Sequence, residues 1–96
     1  MTEDIIRKRL VFSGIVQGVG FRWRARRAAE ALGVTGWVRN DWSGTVTMEL
    51  QGTRSQIEGV IAALERGCYI RIDSIESYSL PPEKNESGFA SADERW

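Results

Sequence analysis

The chain has 96 residues, 42% of them hydrophobic and 27% charged, a composition that predicts one soluble globular domain over residues 1–96. Thirteen basic and thirteen acidic side chains cancel, so the chain lacks the positive field of a general nucleic-acid binder. It has no apolar run long enough to cross a bilayer and no signal-peptide pattern at its start. We therefore expect neither nucleic acid nor a membrane as a partner.

Two residue types are scarce, which narrows the available chemistry. Cys68 is the only cysteine, so no internal disulfide can form, and we expect a cytoplasmic location. The chain contains no histidine, which excludes Ser-His-Asp hydrolysis, phosphohistidine chemistry and histidine-bound zinc. Any reaction must use arginine, amides, carboxylates, hydroxyls or the substrate itself.

The first predicted strand, at residues 8–13, runs into a loop with three glycines at residues 14–20, and a helix begins near Phe21. Glycines allow positive φ angles and close approach to a bound group. N–H groups at a helix start attract anions, helped by the helix dipole. Arg22, in the first turn, adds a guanidinium suited to two phosphate oxygens. The stretch predicts a small phosphate site, although a simple chain-reversing turn could use the same residues.

Hydrophobic spacing predicts the remaining elements. In chain order these are a helix at 21–32, strands at 34–39 and 45–51, a helix between Gly52 and Gly67, a strand at 70–80 and an edge strand at 87–92. The third strand alternates strictly, which predicts one buried and one wet face. Thr53 and Gln56 have the spacing of a capping box, and an irregularity between Ile72 and Ile75 predicts a bulge. Residues 93–96 are expected to fray.

This order of elements is that of the split βαβ, or ferredoxin-like, fold. We expect an α+β two-layer sandwich (βαββαβ), with an antiparallel sheet and both helices on one face. The first and third strands should form the central pair, with the second strand beside the third. Topology alone does not bring Asn40, at the end of the second strand, to the loop at 14–22. Asn40 comes near this loop only if the hairpin after the second strand curls back, or if side chains of the second strand project toward the loop.

Two motifs together resemble the acylphosphatase family. The first is Gly-Ile-Val-Gln-Gly-Val-Gly-Phe-Arg at residues 14–22, and the second is Gly-Trp-Val-Arg-Asn at residues 36–40. One helix separates them, and the pair is far more specific than either motif alone. The similarity is strongest over residues 8–67 and weaker beyond.

The resemblance implies hydrolysis of an acyl phosphate to a carboxylate and inorganic phosphate. It assigns Arg22 to hold the phosphoryl group and Asn40 to orient the attacking water. It also assigns phosphate binding to the backbone N–H groups of Gln17, Gly18, Val19, Gly20 and Phe21. Such transfer needs positioning and charge stabilisation rather than a protein nucleophile, which suits a chain without histidine. Phosphate or sulfate should bind in the same place, and no metal ion or other cofactor is required.

Other roles stay open for several of these residues. Asn40 could serve only the geometry of a turn. Arg39 is expected to add positive field to the pocket without a catalytic role. Trp23, Trp37 and Trp42 either shape the acyl side of the site or cover sheet edges, and the sequence supports both.

Two other functions compete with a metal-independent acylphosphatase that acts as a monomer. One is a non-catalytic ferredoxin-like module that binds a phosphate-bearing ligand or RNA. The zero net charge and the lack of paired aromatic residues on the predicted strands weigh against RNA. The other is carbamoyl phosphate processing, as in the acylphosphatase-like domain of hydrogenase-maturation carbamoyltransferases, although the chain is too short for the rest of such an enzyme.

Overall fold

A computed structural model describes residues 4–92 as a two-layer α+β sandwich. The elements are β1 (Ile6–Ile15), α1 (Phe21–Leu32), β2 (Thr35–Asn40), β3 (Val46–Gly52), α2 (Arg54–Glu65), β4 (Arg71–Leu80) and β5 (Phe89–Ser91). The expected ferredoxin-like order is confirmed, with the short edge strand following it. The expected fraying of residues 93–96 lies outside the described residues, and the single domain over residues 1–96 stays a prediction.

The strands form one sheet in the order β4-β1-β3-β2-β5, so β1 and β3 are central and β2 flanks β3 as expected. The first four strands pair antiparallel, whereas β5 pairs parallel with β2. The sheet is therefore mixed rather than wholly antiparallel. The reason is that β4 runs opposite to β2. The chain leaving β4 crosses to the far edge at the same end of the sheet and enters β5 in the direction of β2.

Local signals fix the ends of both helices. α1 ends where Gly33 takes a left-handed conformation, with φ 77°. α2 begins with the predicted capping box: the Gln56 N–H donates to the Thr53 hydroxyl at 3.2 Å, and the Thr53 N–H donates to Gln56 Oε1 at 2.9 Å. Within residues 4–92, neither helix is long and apolar enough to cross a membrane.

Both helices pack against one face of the sheet. The core between them contains Leu10, Phe12, Val16, Phe21, Ala25, Ala29, Val34, Val38, Val46, Met48, Leu50, Ile57, Val60, Leu64 and Phe89. The opposite face of β3 was expected to be wet, but Thr47 and Glu49 on that face are also buried. They are covered because β3 is a central strand, flanked by the long polar side chains of its neighbours.

The predicted bulge lies where β1 pairs with β4. Ser13 pairs with Ser74 and Gly14 pairs with Ile72, so Asp73 is the extra residue. Gly14 has φ 130°, and a Cβ there would overlap the carbonyl of Arg71. The close approach of the two strands therefore requires glycine immediately before the loop that leads to α1.

A network of ion pairs and hydrogen bonds, centred on the buried Arg7, lies on the sheet face opposite the helices. Arg7 is 1% exposed and donates to Glu49 Oε1 at 2.9 Å and to both carboxylate oxygens of Glu86 at 2.8 and 3.1 Å. Arg9 donates to the other Glu49 oxygen at 2.7 Å, and the Thr35 hydroxyl donates to Glu86 at 2.8 Å. These five residues, called the Arg7 network below, fasten the β4–β5 loop to the sheet.

Candidate active site

The loop between β1 and α1 has a backbone suited to anion binding. Gly18 and Gly20 are left-handed, with φ 73° and 78°. A Cβ at either position would contact no protein atom within 4 Å, so it is the backbone conformation that favours glycine here. Within residues 4–92, no main-chain carbonyl outside the regular elements accepts a hydrogen bond from the N–H groups of residues 17–20. A loop of this kind can turn those groups toward an anion.

The start of α1 adds to this anion-attracting character. Gly20 is the N-cap residue, and since it has no side chain, no side-chain hydrogen bond caps the first turn. That turn also contains no acidic residue. The N–H groups of the first turn therefore lie beside the loop, at the positive end of the helix dipole. No carboxylate of the same turn competes with an anion for these N–H groups.

Asn40 reaches this region from β2. Side chains alternate along a strand, so Asn40 lies on the same face as the buried Val38, the face that the helices cover. The turn itself begins one residue later: the Asp41 N–H donates to Thr45 O at 2.9 Å, and the Gly44 N–H donates to Asp41 O at 3.1 Å. The expected hairpin connection thus starts at Asp41, and Asn40 belongs to the strand.

Loop, helix start and strand end meet at a cleft of about 180 Å³. Its lining consists of Val16, Gly18, Gly20, Phe21, Arg22, Trp23 and Asn40. The structure therefore brings Arg22 and Asn40 to one cavity, together with three of the five expected backbone donors. The other two, Gln17 and Val19, are not in the lining, and Val19 packs against the core.

The side chain of Gln17 has a different position from the one expected. Its Nε2 donates to Asp41 O at 2.7 Å and to Thr45 O at 2.8 Å, which ties the glycine loop to the hairpin after Asn40. Sequence reasoning gave Gln17 only a backbone role. No local spacing relates residue 17 to residues 41–45, so only the folded topology reveals the contact.

Asp41 organises the hairpin through its carboxylate. It accepts hydrogen bonds from Thr47 at 2.6 Å, Thr45 at 2.8 Å and Arg39 Nε at 3.1 Å. Burial alone raises the pKa of Asp41, but these hydrogen bonds outweigh it and lower the pKa below its ordinary 3.8. Arg39 also stacks on Trp37 on the face away from the helices. Arg39 pairs with Asp41 and does not line the cleft, and its expected contribution to the positive field there stays a prediction.

The structure separates the three tryptophans. Trp23 lines the cleft, whereas Trp37 lies under Arg39 on the opposite face of the sheet. Trp42 is 74% exposed in the β2–β3 hairpin. Within residues 4–92, no three His, Cys, Asp or Glu side chains are grouped so that they could hold a metal ion.

The structure is an α+β sandwich with a glycine-lined cleft at the start of a helix. The acylphosphatase family model matches residues 8–91. An acylphosphatase from Koribacter versatilis is 39% identical over 90 residues, which are 93% of this chain and 82% of that protein. A solved acylphosphatase from Coxiella burnetii is 30% identical with a TM-score of 0.81, over 92% of this chain and 93% of the other. Full-length HypF, solved in a phosphate- and nucleotide-bound form, is 28% identical with a TM-score of 0.82, but the match covers 96% of this chain and only 12% of HypF.

The chain belongs to the acylphosphatase family. It is an enzyme that hydrolyses acyl phosphates to a carboxylate and inorganic phosphate. The resemblance found in the sequence is confirmed, and the family match extends past residue 67 to residue 91.

Proposed function

We propose that this acylphosphatase acts by direct attack of a water molecule on a phosphoryl group held in the cleft. Arg22 and backbone N–H groups of residues 17–21 bind the phosphoryl oxygens, and the Asn40 amide orients the water. The observation that carries the proposal is that Arg22 and Asn40 border one cleft at the start of α1.

The chemistry asks for little more than these groups. The water oxygen forms a bond to phosphorus while the bond from phosphorus to the acyl oxygen breaks, which releases a carboxylate. The guanidinium and the N–H groups stabilise the charge on the equatorial oxygens. Because a carboxylate leaves readily, a phosphoryl oxygen can accept the proton of the water. The mechanism therefore requires no histidine, metal ion or other cofactor.

The position of Asn40 supports its role better than a role in turn geometry. The hydrogen bonds of the turn belong to Asp41, Thr45 and Gly44, so the turn does not depend on the Asn40 side chain. Asn40 instead is among the residues that line the cleft, and the alternation of β2 puts it on the same face as the buried Val38. A carboxamide there can hold a water beside a bound phosphoryl group through either of its polar atoms.

Turnover of benzoyl phosphate by an Arg22→Ala variant tests the proposal. Removing a preorganised donor should reduce kcat by about 10²–10³-fold, or roughly 2.7–4 kcal/mol in the transition state. Arg26→Ala is the matched control, because Arg26 lies on the same helix and pairs with Glu30 on its exposed side. Arg22→Ala turnover equal to that of the wild type would refute the role of Arg22.

Asn40→Ala tests the second assignment. We expect most of the activity to be lost while the thermal unfolding curve and competitive inhibition by inorganic phosphate stay close to those of the wild type. Those two readouts separate a water-positioning role from phosphate binding and from stability. If Asn40→Ala unfolds instead, the residue has a structural role.

Three further expectations stay predictions. Phosphate or sulfate soaked into a crystal should occupy the cleft, within hydrogen-bond distance of Arg22. A monomer should be found by sedimentation equilibrium. The protein should be found in the cytoplasm.

A further inference from the structure

The cleft offers very different surfaces to the two ends of an acyl phosphate. Val16 and Phe21 in its lining are buried, while Gly18 and Gly20 contribute no side chain. Apart from Arg22 and Asn40, the described lining includes one residue with a large exposed side chain, Trp23.

Trp23 is 64% exposed and is not part of the core. A single exposed aromatic residue is ordinary on a protein surface and means nothing by itself. Trp23 differs from Trp42, which is 74% exposed, because Trp23 is among the residues that line the cleft with Arg22. The Arg27 guanidinium lies 5.0 Å from the centre of its ring, one helical turn along α1, and this contact restricts the orientation of the indole.

The position of the phosphoryl group decides what meets this indole. With the phosphoryl oxygens held by the glycine loop and Arg22, the carbonyl substituent must extend along the remaining wall of the cleft. The glycine side offers that substituent no side chain, whereas the helix side offers the indole of Trp23. A planar aryl group can pack against an indole in an offset or edge-on arrangement, and a methyl group covers far less of it.

We propose that Trp23 is a specificity-determining residue that gives this enzyme a preference for acyl phosphates with an aromatic acyl group over acetyl phosphate. The inference rests on the proposed function of the same cleft and names the class of substrate. Trp23 touches the acyl substituent and takes no part in the bond changes. Its contribution should therefore appear mainly in KM and much less in kcat.

Steady-state kinetics with benzoyl phosphate and acetyl phosphate test the inference. Trp23→Ala should lower kcat/KM for benzoyl phosphate about three- to tenfold and leave that for acetyl phosphate nearly unchanged. Trp23→Phe, which keeps an aromatic ring, should retain most of the preference. Trp42→Ala is the control, because Trp42 is also a largely exposed tryptophan but is not in the cleft lining. The substrate preference of this variant should equal that of the wild type.

Inorganic phosphate, used as a competitive inhibitor, should bind the wild type and Trp23→Ala equally well. An unchanged ratio of the two kcat/KM values in Trp23→Ala, or an equal loss for both substrates, would overturn the inference and leave the proposed function intact. A wild-type protein that hydrolyses neither substrate would overturn the proposed function, and this inference with it.

Discussion

Arg7 and Arg22 lie at different places in the fold: Arg7 in a polar network on the sheet face opposite the helices, and Arg22 at the cleft by the start of α1. Arg7 is buried against Glu49 and Glu86, with contacts of 2.8–3.1 Å. The hydrogen bond with Glu86 raises the pKa of Arg7, burial opposes this, and the contact with Glu49 raises it further. Arg22 borders a cleft whose described lining contains glycines, an amide and apolar groups, and no carboxylate. Arg7 thus has anionic partners within the fold, and Arg22 lies at a cavity large enough to admit a small anion.

This difference indicates how one chain separates stability from function. In the Arg7 network, a charge removed from water is compensated by carboxylates from distant parts of the chain, which ties those parts together. An anion that enters the cleft meets residues of the glycine loop and Arg22. The described lining contains no carboxylate that would repel it. Removing a charge should therefore lower stability in the first region and activity in the second.

Arg7→Met should have the largest effect on stability. Removing one partner of a buried ion pair leaves the remaining carboxylates uncompensated, and we expect the low end of the usual 3–5 kcal/mol range, about 3 kcal/mol, because Glu49 keeps its contact with Arg9. For a domain of this size the change corresponds to a fall in Tm of about 12 °C or more. Thermal unfolding measures the loss, and kcat/KM per folded molecule at 20 °C should stay that of the wild type.

Arg22→Lys is the matched substitution at the cleft. It keeps the positive charge but loses the planar fork that binds two oxygens. We expect kcat/KM to fall by about 10²-fold, with a smaller change in the free energy of unfolding than in Arg7→Met. The comparison fails if Arg7→Met is as inactive as Arg22→Lys, or if Arg22→Lys is the less stable of the two.

Gln17→Met should have an intermediate effect that reaches both properties. The variant loses two hydrogen bonds to the hairpin carbonyls of Asp41 and Thr45, which should cost about 1–3 kcal/mol of stability. It also loosens the loop relative to Asn40. Inhibition by inorganic phosphate should therefore weaken about fivefold, equivalent to roughly 1 kcal/mol.

Gln51→Met is the control for this variant. Gln51 makes similar side-chain hydrogen bonds on the other face of the sheet: its Nε2 donates to Glu83 O at 2.9 Å, and its Oε1 accepts from the Glu83 N–H at 2.8 Å and from Arg7 at 3.0 Å. It should lose comparable stability and keep the phosphate affinity of the wild type. Equal phosphate affinities in the two variants would mean that Gln17 contributes to the fold alone.

The features predictable from the sequence are those that local spacing determines. The bounds of α1 follow from its apolar periodicity and from the left-handed glycine at its end, Gly33. The capping box of α2 and the bulge in β4 also involve residues close together in the chain. Arg22 was identifiable because the glycine loop and the helix start are contiguous with it.

The features that the sequence did not reveal depend on partners far apart in the chain. Arg7 lies in a run of basic residues that suggests a solvated strand end, and its partners are 42 and 79 positions away. The face on which Asn40 lies depends on which residues of β2 point toward the helices. The same alternation puts the neighbouring Arg39 on the opposite face. The Gln17 contact requires the hairpin and the loop to meet at one end of the sheet, which no local pattern encodes.

Glu86→Gln should have the smallest effect and a distinctive pH dependence. The hydrogen bond from Arg7 lowers the pKa of Glu86, burial opposes this, and the hydrogen bond from Thr35 lowers it further, so the net pKa is below the ordinary 4.5. Because the pKa is lower in the folded state, the stabilisation is complete above 4.5 and is lost as the pH falls through the folded pKa. At pH 7, Glu86→Gln should be less stable by about 1 kcal/mol, since the amide oxygen can still accept from Arg7.

Thermal unfolding of both proteins from pH 7 to pH 2.5 should show this difference shrinking as the pH falls below 4.5. Glu65→Gln, a change at an exposed position of α2, is the control and should follow the wild type throughout. A difference between Glu86→Gln and the wild type that stays constant down to pH 2.5 would contradict the ionic role of Glu86. The Arg7 network would then hold the β4–β5 loop by packing and neutral hydrogen bonds, and the contrast with the cleft would rest on Arg7 and Glu49 alone.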